Sequence, residues 1–258
     1  MKKTLFIAWK DKNPSRWLTV ARLCCIDKRY IFCYTKGALK SDNFVPFGRF
    51  LSLNNVYVSD ELFPLFENRI LNSNRSEFND FLSWLSLDNK SYDPLDILAL
   101  TEGRRETDNL EIFPYPKIDD NNVLTINFFT HGLNHINNLS QENLNSLHPK
   151  DNLFLCQDRQ NPKDQDAILL RSDDPIMFVG YCPRYLVKDF NILLKNNSKI
   201  KVYIKKINPN APYSYRILCT IEAKCPPNFV PYSEDQFLPI PSKDSFKCLN
   251  TDCKISCK

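Results

Sequence analysis

Glycine is scarce in this chain, with five in 258 residues, at positions 37, 48, 103, 132 and 180. No two are close enough to cradle a phosphate, which excludes the dinucleotide, P-loop and kinase glycine motifs. Histidine is scarcer, with three. His131 and His135 share an i, i+4 spacing, but no Glu lies between them as in a zinc-hydrolase helix, and the region reads as strand then turn. No Ser or Cys has a nucleophile-elbow context, and no acid stands in an apolar run that would shift its pKa. We therefore expect no catalytic residue, no resident metal and no cofactor.

Long apolar runs are also missing. Lys2-Lys3 is followed by only six uncharged residues, Thr4 to Trp9, too few for a signal-peptide core. The longest uncharged run, between Asp120 and Glu142, is full of Asn and His and cannot span a membrane. The expectation is a cytoplasmic protein whose ten cysteines are reduced thiols. The one cysteine cluster, Cys248, Cys253 and Cys257, lacks a CxxC pair and a nearby His.

What is present is a globular composition, 43% hydrophobic and 25% charged, enough for one or two folded domains. A net charge of +4 does not by itself argue for nucleic acid. Short β-rich runs at Leu5–Trp9, Leu18–Cys25 and Arg29–Tyr34 open the chain, with Asp27-Lys28 as a turn. Three helices follow. Pro64 opens the first. Asn74, with Glu77 at capping-box spacing, opens the second, whose stripe is Phe78, Phe81, Leu82 and Leu85. Asp93-Pro94 opens the third as N-cap and N1, and Gly103 stops it. Leu110–Phe113 closes this half as a strand.

Beyond Pro114 and Pro116 the polar stretch 117–123 reads as a linker. Residues 124–225 hold about six short strands and two helices, Ser140–Leu147 and one opened by Pro183. The proline-rich remainder, 226–258, reads as an extended tail without a packing pattern. The fold class is thus α+β: a strand-plus-three-helix domain over 1–116, then a six-stranded barrel.

Two surfaces stand out. In Lys199–Lys206, alternation turns Ile200, Val202 and Ile204 inward and Lys199, Lys201, Tyr203 and Lys205 outward. A basic row with an aromatic suits single-stranded nucleic acid; the alternative is a lysine-protected edge strand. Trp84 lies about 110° from the centre of its helix's apolar stripe. It is therefore either covered by another part of its own N-terminal domain or an anchor for a partner.

The segments Glu61-Leu62-Phe63-Pro64-Leu65-Phe66-Glu67-Asn68-Arg69-Ile70-Leu71, with Arg75, and Asp93-Pro94-Leu95-Asp96-Ile97-Leu98-Ala99-Leu100-Thr101-Glu102-Gly103 resemble the N-terminal subdomain of HipA-type serine/threonine kinases. The resemblance spans roughly 5–116, and the kinase's ATP-binding and catalytic regions have no counterpart. In split bacterial systems such a detached subdomain (HipS-like) acts as an antitoxin. The resemblance implies a non-catalytic inhibitor of a HipT/HipA-like kinase encoded nearby, with a helix-turn-helix HipB-like protein as further partner. Phe63, Phe66, Arg69 and Trp84 are the expected kinase contacts.

Residues 124–223 resemble a HIRAN domain. The carriers are Thr130-His131-Gly132-Leu133, Asn161-Pro162 with Asp164, Asp166, Ala167 and Ile168, and Val179-Gly180-Tyr181-Cys182-Pro183-Arg184-Tyr185. The resemblance implies an OB-like barrel that binds single-stranded DNA. The expected contacts are Asn134, His135, Asn161, Asp164, Tyr181, Arg184, Tyr185, Lys199, Lys201, Tyr203 and Lys205. Where the family carries aromatic and basic residues, this chain has Asn134, His135 and Lys163, so stacking moves to Tyr181, Tyr185 or Tyr203. Three functions follow: an antitoxin with a nucleic-acid-sensing domain, a DNA-binding accessory factor in repair or phage defence without a kinase partner, or an enzyme with a metal in its cysteine tail.

Overall fold

A computed structural model describes residues 3–12, 15–136, 144–196 and 198–241. The chain divides into two compact units. One holds the described residues up to Asn72, Asp93–Tyr115 and those from Tyr232 on; the other holds Ser73–Tyr92 and Pro116–Pro231.

The first unit is a five-stranded antiparallel sheet in the order β4-β3-β2-β1-β5: β1 Lys3–Lys12, β2 Ser15–Ile26, β3 Arg29–Tyr34, β4 Val56–Ser59 and β5 Leu110–Pro114. Asp27 and Lys28 both have positive φ, 49° and 64°, as a two-residue turn that follows the strand twist demands. One sheet face carries Leu5, Ile7, Leu23, Phe32 and Ile112, all at most 2% exposed. Onto it pack Phe66 of α1 (Pro64–Glu67) and Leu95 and Leu98 of α3 (Pro94–Thr101). The Asp93 carboxylate accepts from the Leu95 amide at 2.8 Å, the cap that the Asp-Pro pair announces. Lys3 holds both Asp93 and Asp96 at 2.7 Å, joining β1 to α3.

The proline-rich stretch after Pro231 is no free tail as far as Pro241. Tyr232 and Phe237 pack on Phe6 with ring centroids at 5.7 and 5.1 Å. The Ile240 amide donates to Tyr34 O at 3.0 Å and the Lys36 amide to Leu238 O at 2.8 Å. Cys248, Cys253 and Cys257 lie outside the described residues.

The second unit is a seven-stranded antiparallel sheet in the order β10-β9-β8-β11-β12-β7-β6. Its strands are β6 Lys117–Ile118, β7 Val123–Phe129, β8 Asn152–Gln157, β9 Ile168–Ser172, β10 Phe178–Tyr181, β11 Ile200–Ile207 and β12 Ile217–Lys224. The sheet is open rather than the expected closed barrel. Its curl brings His131, beyond β7, against Tyr181, and the two exchange backbone hydrogen bonds of 2.9 Å each. Helix α4 (Arg184–Lys195) lays Leu186, Val187, Phe190 and Leu193 on a core of Ile126, Phe128, Ile168, Leu170, Ile204 and Ile217. Most of the expected helix Ser140–Leu147 lies outside the described residues.

Helix α2 (Phe78–Trp84) also belongs to this unit, although the sequence reading grouped it with the first. It starts later than the capping-box spacing suggests, and the Glu77 side chain makes no cap bond. Its rings meet Tyr215: Phe81 at 5.9 Å, and Trp84 at 6.4 Å with planes 22° apart. Its C-terminal carbonyls are capped by Asn208, which donates to Trp84 O at 3.0 Å, and by Lys206, which donates to Ser83 O.

The expected linker 117–123 is instead a hairpin. Lys117 and Ile118 pair with Thr125 and Leu124. The Asp119 carboxylate accepts from the amides of Asn121 at 2.9 Å and Val123 at 2.8 Å, so local bonding to the backbone outweighs the breaking effect of the two prolines. Trypsin is therefore expected to cut after the exposed Lys40 or Arg49 before it cuts after Lys117. First cleavage at Lys117, read by mass spectrometry of early fragments, would show that the hairpin opens freely. Among the described residues no helix is long and apolar enough to cross a membrane.

Candidate nucleic-acid interface

Three segments far apart in sequence meet where β7 and β10 end. The first follows β7. Gly132 takes φ +70°, and the turn Leu133–His135 buries Leu133 while exposing Asn134 and His135. The second is the loop 158–167. Asn161 Oδ1 accepts from the amides of Lys163 at 3.0 Å and Asp164 at 3.2 Å, and Asp164 Oδ1 accepts from the Asp166 amide at 3.0 Å. The third is the turn from β10 into α4. There Pro183 sits at the N-cap, Arg184 is exposed, and Tyr185 packs partly buried on the core.

Asp158, which sequence reasoning missed, joins two of these segments. One of its carboxylate oxygens accepts from Tyr181 Oη at 2.9 Å and from Asn161 Nδ2 at 3.2 Å. Burial, and then donation to this carboxylate, push the Tyr181 hydroxyl above its ordinary pKa. Asn161 and Asp164 therefore shape the loop with the oxygens expected to contact a ligand. Asn134, His135, Lys163 and Arg184 are turned to solvent at this corner, as are Arg159 and Asp166, which pair with each other at 3.4 Å.

The lysine row is rearranged by a bulge. Ile204 faces Cys219 but Lys206 faces Leu218, so Lys205 has no cross-strand partner residue. Lys206 takes its place in the outward row and caps α2. Desolvation lowers the Lys205 pKa. β11 is no edge strand, since it pairs with both β8 and β12, which removes the edge-protection reading. Lys201 and Tyr203 do share a face: the Lys201 ammonium lies 5.2 Å from the Tyr203 ring centroid, and Tyr203 Oη donates to Glu222 at 2.9 Å. Lys199, just before β11, is exposed. Arg184 is not on that face, because α4 packs on the opposite one, with Val202 and Ile204.

The same outward face holds residues the sequence reading passed over. Phe154 of β8 and Phe178 of β10 both pair with Arg171 of β9, and they are 43% and 49% exposed. A signal existed: in Asn152–Gln157 the Phe falls in phase with Asn152, not with the buried Leu153.

The expected kinase contacts are placed differently. Phe66 is fully buried, Phe63 packs partly buried on the first unit's core, and the Arg69 side chain is 2% exposed. These three are internal because the sheet needs α1 as its cover. Trp84, half-buried, is stacked on Tyr215.

The family model of the HIRAN domain matches residues 123–225. Among solved structures, the HIRAN domain of human HLTF is 15% identical, with a TM-score of 0.30, covering 38% of this chain and 74% of that one. A protein from Lactobacillus plantarum is 14% identical, with a TM-score of 0.32, covering 38% of this chain and 89% of its own. No curated protein matches the chain.

Proposed function

We propose that the protein is a non-catalytic regulator whose HIRAN-matching unit binds single-stranded nucleic acid. The observation that supports this is the meeting of the three segments 130–135, 158–167 and 180–185 at one corner, inside the stretch that matches the HIRAN model. Arg184 opens a twelve-residue helix there, and His135 and Asn134 face solvent beside a half-buried tyrosine. Such a corner offers a cation, amide hydrogen bonds and a ring to a strand end.

The test is fluorescence anisotropy with labelled oligothymidylate. The variant Arg184→Glu/His135→Ala is expected to bind about tenfold more weakly, and each lost phosphate contact to flatten the salt slope by about 0.7. A folded parent chain that fails to bind at low salt would overturn the reading.

A second role, masking a HipA-type kinase in a toxin–antitoxin pair, would need a docking surface on the first unit. Leu39, Val45 and Leu51 are 61%, 73% and 77% exposed in the stretch after β3. A partner can reach these side chains, whereas Phe66 and the Arg69 side chain are internal. Kinase capture that survives high salt and fails in Val45→Asp/Leu51→Asp would support this role.

A further inference from the structure

We propose that the outward face of β8, β9 and β10 is a base-stacking platform for the nucleic-acid strand, built on the row Phe154, Arg171 and Phe178; this rests on the nucleic-acid reading above. The register makes the row. Arg171 is the cross-strand partner of Phe154 on one side and of Phe178 on the other, so three neighbouring strands contribute one residue each. The Arg171 guanidinium carbon lies 4.7 Å from the Phe154 ring centroid. Phe154 and Phe178 stand two strands apart, about 9.6 Å. Both keep nearly half their surface in water, an unfavourable placement for rings unless they meet a ligand.

The face continues on both sides. Tyr181 pairs with Leu169 two residues along β9 from Arg171, which carries the row to the corner described above. On β11, Tyr203 pairs with Asn152, and Lys201 precedes Val202, the partner of Leu153, so Lys201 lies level with Phe154. Cations and rings thus alternate along the row, the pattern that neutralises phosphates while offering π-faces to successive bases. The carboxylates on this face are occupied: Glu222 accepts from Tyr203 and Asp158 from Tyr181. Asp173 and Asp174, in the β9–β10 turn, repel a polyanion from that end and direct its path across the strands.

The experiment uses the full chain and a 15-nucleotide oligothymidylate, with a second copy of the probe carrying 5-bromodeoxyuridine for photocrosslinking. Phe154→Ala/Phe178→Ala is expected to weaken binding by about five- to a hundredfold per ring, while Phe154→Tyr/Phe178→Tyr binds like the parent. Arg171→Gln is expected to flatten the salt slope by about 0.7. Crosslinks are expected in the peptides holding Phe154 and Phe178. If the parent binds but the double alanine variant, folded by its melting curve, binds equally well, the platform is wrong and the corner alone carries the function. Crosslinks confined to 131–135 and 184–185 lead to the same conclusion. A parent that binds no probe removes both readings. Binding lost in the alanine variant but kept in the tyrosine variant assigns the contact to the rings, which an effect on folding alone would not do.

Discussion

Gly180→Ala is expected to lower the stability of the second unit by about 3 kcal/mol, from steric overlap added to a strained backbone. Gly180 has φ +116°, a conformation side chains rarely adopt. A Cβ there would lie 2.6 Å from Thr130 Cβ and 3.0 Å from His131 O. Thr130 is 2% exposed, and the next residues, His131 and Tyr181, are locked by two backbone hydrogen bonds, so neither side can withdraw. Relief means breaking that bridge, which separates the β7 turn from β10 and dismantles the corner that carries Asn134, His135 and Arg184. The loss of stability should therefore come with loss of oligonucleotide binding. Gly132→Ala is the control: at φ +70° its Cβ meets only the Tyr181 ring, two carbons at 3.3 and 3.8 Å, and the cost is about 1 kcal/mol. Urea denaturation checks both; a Gly180→Ala chain within about 0.5 kcal/mol of the parent would show that the corner is pliant.

The strands were legible because Leu5–Trp9 is a short apolar and aromatic run, buried on both faces, because alternation in Ile200–Ile204 records which face is buried, and helix α4 because its apolar residues repeat every three or four positions. Asp93-Pro94 was legible because capping is a local bond. What failed was non-local. Helix α2 has the same stripe whichever sheet it covers, and contacts with Lys206, Asn208 and Tyr215, far along the chain, decide the matter. Tyr232, Phe237 and Ile240 pack as single side chains between prolines, so no period announces them. The bulge at Lys205 has no signature in Lys-Lys; it leaves Lys205 without a cross-strand partner and brings Lys206 into the row. At the corner, the residue types were legible but their employment was not. Asn161 and Asp164 look like ligand contacts, yet their oxygens bind their own loop, because Asn and Asp accept from amides two or three residues on.

Arg69→Met is expected to cost the first unit about 3 kcal/mol, the lower end for breaking a buried ion pair, since water reaches part of Asp108. The Arg69 side chain is 2% exposed and that of Asp108 31%. The guanidinium donates to Leu65 O at 3.1 Å, to Gly103 O at 2.7 Å, and through both terminal nitrogens to the Asp108 carboxylate. It thereby ties α1 to the end of α3 and, through Asp108, which also accepts from the Leu110 amide at 3.2 Å, to the start of β5. Methionine fills much of the volume but leaves two carbonyls without the guanidinium and the Asp108 carboxylate with only the Leu110 amide. Lysine cannot reproduce the fork, so Arg69→Lys should lose a large part of the same stability. Asp108→Asn combined with Arg69→Met should lose less than the sum of the single changes, because each removes the other's partner. Two of the three tryptophans, Trp9 and Trp17, belong to this unit, so a Trp84→Phe background makes fluorescence report on it alone. If Arg69→Met leaves the urea midpoint unchanged but abolishes capture of a kinase, Arg69 is a partner contact, as its place in the sequence motif implies, and the bonds around it contribute little to the fold.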